Sequence, residues 1–373
     1  MLPVGQMGPV ILDAMTTAAP MPDELSPRHL RSRLLQLGAL IAVVVAVVLA
    51  SPGLGSLRDR LAHAHPLWLV LAVALELLSA LSYVVIFRAV FCPRMGWQTS
   101  YQIGMAEQAA NSLLPAGGAG GLALGAWALR RGGMPTEHIA RRTVAFFLLT
   151  SLANVGTLAV FAVLFAAGAL GREDHQWVTY GFGIASVGAI AATLAVPRLT
   201  DRRAAAPRGD VADLRRVRTA ARRVLGALRD GVSDSLALVR ARQAGVLSGS
   251  MGYMAFDIAV LWACYRAFGH SPSFGVLVVA YVIGQLGGLL PIPGGIGGTE
   301  GGLIGTFALY HAPLATTAVA VLAYRTIQLW LPALLGSLAF VQLRRSLRRE
   351  EVAAAMCQPL AEQLPVVRLP VRA

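Results

Sequence analysis

Long apolar runs separated by short polar connections dominate the pattern of this chain. Six of the runs approach or exceed the roughly 20 residues that an α-helix needs to cross a bilayer. They lie at 34–51, 67–91, 143–170, 176–197, 246–268 and 314–342. Two further apolar stretches, at about 99–131 and 274–311, are interrupted near their middle. The pattern predicts an all-α polytopic membrane protein with about six crossing helices.

Proline and glycine interrupt the two remaining stretches in a similar way. Each contains Leu-Leu-Pro, at 113–115 and 289–291, and a glycine cluster follows. The clusters are Gly117, Gly118, Gly120 and Gly121, and Pro293, Gly294, Gly295, Gly297 and Gly298. Such breaks free backbone groups, which persist in hydrocarbon only where they are buried in protein or line a polar cavity. We therefore predict two re-entrant, glycine-tipped helical hairpins whose glycines, with Asn111, form a binding site.

The arginines predict how the two stretches are oriented. With six crossings, the basic flanks near Arg31, Arg141 and Arg345 all fall on one side, which the positive-inside rule makes cytoplasmic. The N- and C-termini are then cytoplasmic, and the two hairpins enter from opposite sides. Short sequence matches, such as Phe87-Arg88-Ala89 with Tyr265-Arg266-Ala267, recur in the same order. These features predict an inverted repeat, as in carriers that alternate access; the alternative is chance recurrence in a chain rich in Leu, Ala and Gly.

The repeat divides the chain into five parts. A Pro-rich disordered tail at 1–33 precedes the first membrane half at 34–197, and the second half occupies 244–343. Between them, the 198–243 connection has apolar residues three or four apart and many arginines, which predicts a cytoplasmic amphipathic helix. It either lies on anionic lipid or serves as a solvated linker. A cytoplasmic tail at 344–373 completes the chain.

Composition supports a membrane protein and gives no support to a nucleic-acid partner. The chain is 56% hydrophobic and 14% charged, and its net charge of +13 comes from arginine alone. These arginines cluster beside membrane segments, where the positive-inside rule accounts for them.

Ionisable residues inside the apolar segments are the candidates for chemistry, because burying a charge in a membrane is costly. Glu76, Glu107 and Asp257 are candidates for ion coupling or for charge pairing with an arginine. Arg142 and Arg325 lie near the breaks in sequence, and arginine binds phosphate in a bidentate fork. We predict that they hold a phosphate and that Glu107 and Glu300 orient them or bind a cationic group. The competing interpretations are structural salt bridges and close helix packing at small residues.

No enzyme signature is present in the sequence. It lacks GxSxG, Walker A, HExxH and any Cys/His metal spacing, so we predict no metal, no cofactor and no catalytic residue. An enzymatic role is left open, with Glu300 as its single candidate group.

Three strings resemble the transmembrane region of the lysylphosphatidylglycerol synthase family, whose members are also described as flippase-like. They are 111–115, 129–133 and, most specifically, 291–302, within a resemblance that runs from about 35 to 345. In the larger bifunctional relatives, this region flips an aminoacylated phospholipid that a cytoplasmic aminoacyl-transferase domain makes. About 30 residues follow Arg344, so we expect that domain to be missing from this chain.

The resemblance implies a lipid flippase in the cytoplasmic membrane of a bacterium or archaeon. The expected substrate is an anionic or aminoacylated phospholipid or an isoprenoid-linked headgroup. The alternatives are the membrane component of an aminoacyl-phospholipid synthase or glycolipid pathway, and a membrane scaffold. A lipid-synthesising enzyme is the expected partner, and a homo-oligomer is left open.

Overall fold

The structure, a computed structural model, describes residues 63–114, 119–167, 180–181, 183–193, 195, 212–269, 271–288 and 292–348, together with positions 32 and 35. Every regular element in these residues is helical. The main helices are α1 Pro66–Phe91, α2 Trp97–Leu113, α3 Ala119–Arg131, α4 Thr136–Ala166, α5 Ala212–Arg240, α6 Ala244–Ala267, α7 Phe274–Gly287, α8 Gly298–Leu309 and α9 Leu314–Arg348, with a 3-10 turn at Pro293–Gly295. The predicted all-α class is confirmed.

Among the described residues, four helices are long and apolar enough to cross a membrane. They are Pro66–Phe91, Thr136–Leu164, Ala244–Ala267 and Leu314–Leu347, and they coincide with four of the six predicted crossings. The described part of 176–197 contains a shorter apolar helix, Gly183–Thr193. The predicted crossing at 34–51 and the predicted tails lie outside the described residues, apart from positions 32 and 35 and residues 344–348, which continue α9.

The two interrupted stretches each form a helix, a break and a second helix. In the first, α2 ends at Leu113 and α3 begins at Ala119. In the second, α7 ends at Gly287 and α8 begins at Gly298. Positions 115–118 and 289–291 lie outside the described residues. The breaks fall where proline and glycine predict them, and the re-entrant course of the hairpins stays a prediction.

α1 and α6, the helices that precede the break in each predicted half, pack against each other and run antiparallel. A Cβ on Gly249 would lie 2.6 Å from the backbone nitrogen of Ile86. Nearer the middle, the Ser79 hydroxyl donates to the Tyr253 carbonyl oxygen at 3.1 Å. Because numbers rise along α1 as they fall along α6, the register places Glu76 level with Asp257.

Close approach at glycine also joins other helices. A Cβ on Gly336 of α9 would overlap the Met105 carbonyl oxygen on α2, and a Cβ on Gly287 would overlap the backbone of Gly298. Backbones can approach this closely only where no side chain intervenes. One apolar core then forms around Phe87, with Phe146 in edge-to-face contact. A second core forms around α6, α7, α8 and α9.

The helix predicted in the 198–243 connection is present as α5. Its later turns pack on α4, where the Ser235 hydroxyl lies 3.5 Å from the Ala145 carbonyl oxygen. At the neighbouring position, Asp234 Oδ2 forms an ion pair with Arg141 Nε of α4 at 3.0 Å. This part of α5 therefore packs on protein, and its predicted cytoplasmic location stays a prediction.

Candidate functional site

A polar cavity of ≈ 170 Å³ lies where α1, α2, α6, α9 and the second break meet. Carboxylates, amides, hydroxyls and one guanidinium form much of its wall. Its polar lining residues are Glu76, Ser79, Tyr83, Gln108, Asn111, Ser112, Tyr253, Asp257, Gln285, Thr299, Arg325 and Gln328. Polar side chains inside a membrane helix bundle are costly and usually mark a site of function.

The second break depends on glycines that adopt a left-handed backbone. Gly294, Gly295 and Gly297 have φ of 59°, 65° and 88°, which other residues adopt only with strain. A Cβ on Gly294 would also lie 3.2 Å from the carbonyl oxygen of Ser112, which belongs to α2. The second break therefore lies against the end of the helix that leads into the first break.

Arg325 fixes this break from α9. Its Nε donates to Glu300 Oε1 at 2.8 Å, its Nη1 donates to Gln328 Oε1 at 2.5 Å, and its Nη2 donates to the Gly294 carbonyl oxygen. The guanidinium is buried, with 7% of the side chain exposed. Three partners already hold this group, so it serves first to set the shape of the break.

Glu300 completes the same arrangement at the start of α8. Its second oxygen, Oε2, accepts from the backbone N–H of Gly297 at 2.6 Å. The carboxylate thus caps the helix N-terminus, where a negative charge is favoured, while it also pairs with Arg325. The contact that orients Arg325 agrees with one of the two roles predicted for Glu300.

Asn111 performs a similar task at the first break. Its Oδ1 accepts from the backbone N–H of Gly121 at 2.8 Å, which ties the last turn of α2 to the first turn of α3. A Cβ on Gly121 would overlap that oxygen. The amide therefore supports the break and also lines the cavity.

Replacing Asn111 should separate these two roles. Asn111→Ala removes the acceptor and is expected to destabilise the protein by about 1 kcal/mol, as loss of a helix cap does. Asn111→Asp keeps an oxygen at the same place, so the midpoint of thermal unfolding in detergent should return close to that of the wild type. If both variants unfold at the wild-type temperature, the bond to Gly121 contributes nothing measurable.

Two carboxylates face the cavity with oxygens that lack hydrogen-bond partners. Asp257 Oδ2 accepts from Tyr281 Oη at 2.9 Å, Gln328 Nε2 at 3.0 Å and Gln285 Nε2 at 3.3 Å. Its Oδ1 has no partner, and neither has Glu76 Oε2. Only 2% of Asp257 and 4% of Glu76 is exposed. The amide Nε2 of Gln108 is likewise unpartnered, so the cavity offers both acceptors and a donor.

Glu107 lies behind the cavity wall. Its Oε2 accepts from the Tyr83 hydroxyl at 2.9 Å, and Tyr83 itself lines the cavity. Gly125 on α3 makes room for the carboxylate, because a Cβ there would overlap it. Glu107 therefore contributes to the site through Tyr83.

The structure brings several of the predicted site residues together at this cavity. Glu76, Asn111, Asp257, Gly294, Gly295 and Arg325 line the cavity, and Glu300 is bonded to Arg325. Gly120 and Gly121 begin α3, Gly297 and Gly298 begin α8, and Pro293 belongs to the 3-10 turn. Gly117 and Gly118 lie outside the described residues.

Arg142 is placed elsewhere. Its Nε lies 3.6 Å from Asp234 Oδ2 on α5, next to the pair that Arg141 makes with the same carboxylate. It does not line the cavity. Its partner Asp234 belongs to the connection between the halves. The sequence pattern alone did not predict where that connection packs.

Sequence reasoning missed several polar side chains of the cavity. Gln285 and Gln328 both hold Asp257, and Gln108 and Tyr253 complete the wall. The signal was available, because glutamine is rare within apolar helices. Pro332 was a second signal: it has no N–H, so the Gln328 carbonyl cannot receive its usual helical bond.

Comparison with known proteins identifies the family. The family model for the lysylphosphatidylglycerol synthase transmembrane region matches residues 35–336. The chain belongs to this family. A UPF0104 membrane protein of Methanothermobacter thermautotrophicus is 36% identical over 93 residues, which cover 25% of this chain and 26% of that protein. Family and apolar helices together make this a multi-pass membrane protein, and the family connects it with lipid metabolism.

Proposed function

We propose that the protein translocates the polar headgroup of a lipid across the cytoplasmic membrane. The observation that carries the proposal is the polar cavity, which lies between apolar helices and is walled by residues of both predicted halves. A headgroup would occupy it while the hydrocarbon chains stay in the bilayer. The exposed leucines of α1, such as Leu67 and Leu81, provide an apolar surface suited to those chains.

Two features support a carrier over a static binding protein. The antiparallel packing of α1 on α6 is what an inverted repeat requires of its equivalent helices. The contact of Gly294 with the end of α2 is what two opposed hairpins require of their tips. In this proposal both hairpins are re-entrant, enter from opposite sides, and expose the cavity to one side at a time. Both termini would be cytoplasmic.

The unpartnered groups of the cavity favour one class of headgroup. Glu76 and Asp257 offer carboxylate oxygens, which suit an ammonium group, and Gln108 offers an amide donor, which suits a carbonyl or phosphate oxygen. Arg325 contributes less to phosphate binding because Glu300 already neutralises it. An aminoacylated anionic phospholipid has both kinds of group. It therefore fits better than a lipid that has phosphate alone.

Liposomes that contain aminoacylated phosphatidylglycerol test this function. An impermeant amine-reactive reagent first labels the outer leaflet to completion. Further labelling then reports lipid that has crossed from inside. We expect the protein to move this lipid faster than protein-free vesicles do. Equal rates with and without protein would falsify the proposal.

Gln108→Leu provides a matched test of the site. It removes an unpartnered amide that faces the cavity, and we expect the rate to fall about fivefold, the equivalent of one hydrogen bond. Gln98→Leu changes an exposed glutamine on the same helix and should leave the rate unchanged. A rate that falls equally in both variants would assign the effect to α2 as a whole.

A further inference from the structure

Glu76 and Asp257 form a facing pair of buried acids. The α1–α6 register places the two side chains level, and both line one cavity. Each has an oxygen with no hydrogen-bond partner. Two carboxylates that face each other away from bulk water cannot both stay ionised without a cation.

The charged and titratable groups around the pair do not supply that cation. Four neutral phenols surround it, on Tyr83 of α1, Tyr253 of α6, Tyr281 of α7 and Tyr324 of α9, and Cys264 of α6 contributes a buried thiol. Glu107 lies behind Tyr83. Arg325 is the cation that borders the cavity in the described part of the chain, and Glu300 pairs with it at 2.8 Å. The pair therefore has no cation of its own, and at least one of its two negative charges must be neutralised by a proton.

The hydrogen bonds distinguish the two acids. Asp257 Oδ2 accepts from three donors, and such bonds favour the charged carboxylate. No donor is bonded to Glu76 Oε2, and burial without a donor favours the neutral acid. The asymmetry puts the charge on Asp257 and leaves Glu76 to be protonated.

We propose that Glu76 holds a proton beside ionised Asp257, and that this proton is the coupling ion of transport. The proton site stands on the pair itself, and its coupling role rests on the proposed function. Both acids border the cavity, so an ammonium group that enters can pair with ionised Asp257 and neutralise its charge. The Glu76 proton then leaves to water on the side that is open. Headgroup and proton therefore exchange at the same carboxylates.

Infrared difference spectroscopy of the purified protein tests the proton site without lipid transport. A buried protonated carboxyl gives a C=O stretching band that shifts in D₂O. We expect Glu76→Gln to remove one such band and Asp257→Asn to shift it, while Glu137→Gln, at an exposed site on α4, leaves it in place. Both cavity variants keep the side-chain shape. If the wild-type spectrum survives Glu76→Gln unchanged, Glu76 is not protonated and the proposal is wrong.

Liposomes with an imposed pH gradient test the coupling. A difference of one pH unit should change the transbilayer ratio of aminoacylated lipid about tenfold in the wild type. It should have no effect in Glu76→Gln. Lipid that moves in the wild type without regard to the gradient would overturn coupling and leave the proposed function standing. If no lipid moves at all, the proposed function fails, and with it the coupling role, while the infrared result still decides the proton site.

Discussion

Gly287→Ala is expected to destabilise the protein strongly although it adds a single methyl group. The new Cβ would overlap the backbone carbonyl of Gly298 and approach the Thr299 nitrogen at 2.5 Å. Backbone cannot move aside as a side-chain end can, so α7 and α8 must separate. Overpacking costs about 1–3 kcal/mol, and overlap with backbone puts this case at the upper end, above the roughly 1 kcal/mol that alanine gains over glycine in a helix. A thermal melt of the purified protein in detergent measures the loss.

Gly301→Ala is the matched control for this prediction. Gly301 lies on α8, close to the same contact in sequence, and a Cβ there would meet nothing within 4 Å. We expect its melting temperature to equal or exceed that of the wild type, because helix propensity is the term that remains. The same melting temperature for both variants would mean that α7 and α8 are not in contact at Gly287.

Arg325→Gln should abolish most lipid movement while the protein remains folded. The change removes donors to Glu300 and the Gly294 carbonyl, so the second break loses the group that holds it against α9. Removing one partner of a buried charge pair leaves the other uncompensated. Because Glu300 is 23% exposed, water offsets part of the cost of leaving its carboxylate unpaired. We therefore expect the protein to lose about 2 kcal/mol of stability. The liposome assay should show a rate at least about tenfold lower.

Two further substitutions make this test specific. Arg325→Lys keeps the charge, but a single ammonium cannot reproduce the planar fork that reaches three partners, so we expect only partial recovery. Arg345→Gln removes an exposed arginine near the end of the same helix and should transport like the wild type. Full activity in Arg325→Gln would show that the break keeps its shape without this residue.

The fold could be predicted from the sequence to the extent that local patterns determine it. Apolar length located four crossing helices, and the Leu-Leu-Pro strings located both breaks, because proline and glycine act on the backbone wherever they occur. Arg142 shows where this reasoning ends. Its partner Asp234 is far along the chain, on a helix whose docking on α4 depends on Gly231 and Ser235. Pairings of that kind depend on tertiary packing.

The cavity likewise has features that the local sequence predicts and features that depend on tertiary packing. Asp257 stood out as a charge in an apolar helix, whereas Gln285 and Gln328 were overlooked because an amide is less costly to bury. The unequal hydrogen bonding of Glu76 and Asp257 could not be predicted, since the donors to Asp257 come from α7 and α9. That difference arises only when separate helices meet.

The tight glycine contacts limit how such a molecule can change shape. α1 and α6 meet backbone to backbone at Gly249, and α2 and α9 meet in the same way at Gly336, so both pairs bind one half to the other. Swinging the halves apart as two lobes would break these contacts at their closest points. The glycines at 294, 295 and 297 can instead change φ and ψ with little strain. We therefore expect the second break to change shape while α1, α2, α6 and α9 keep their packing.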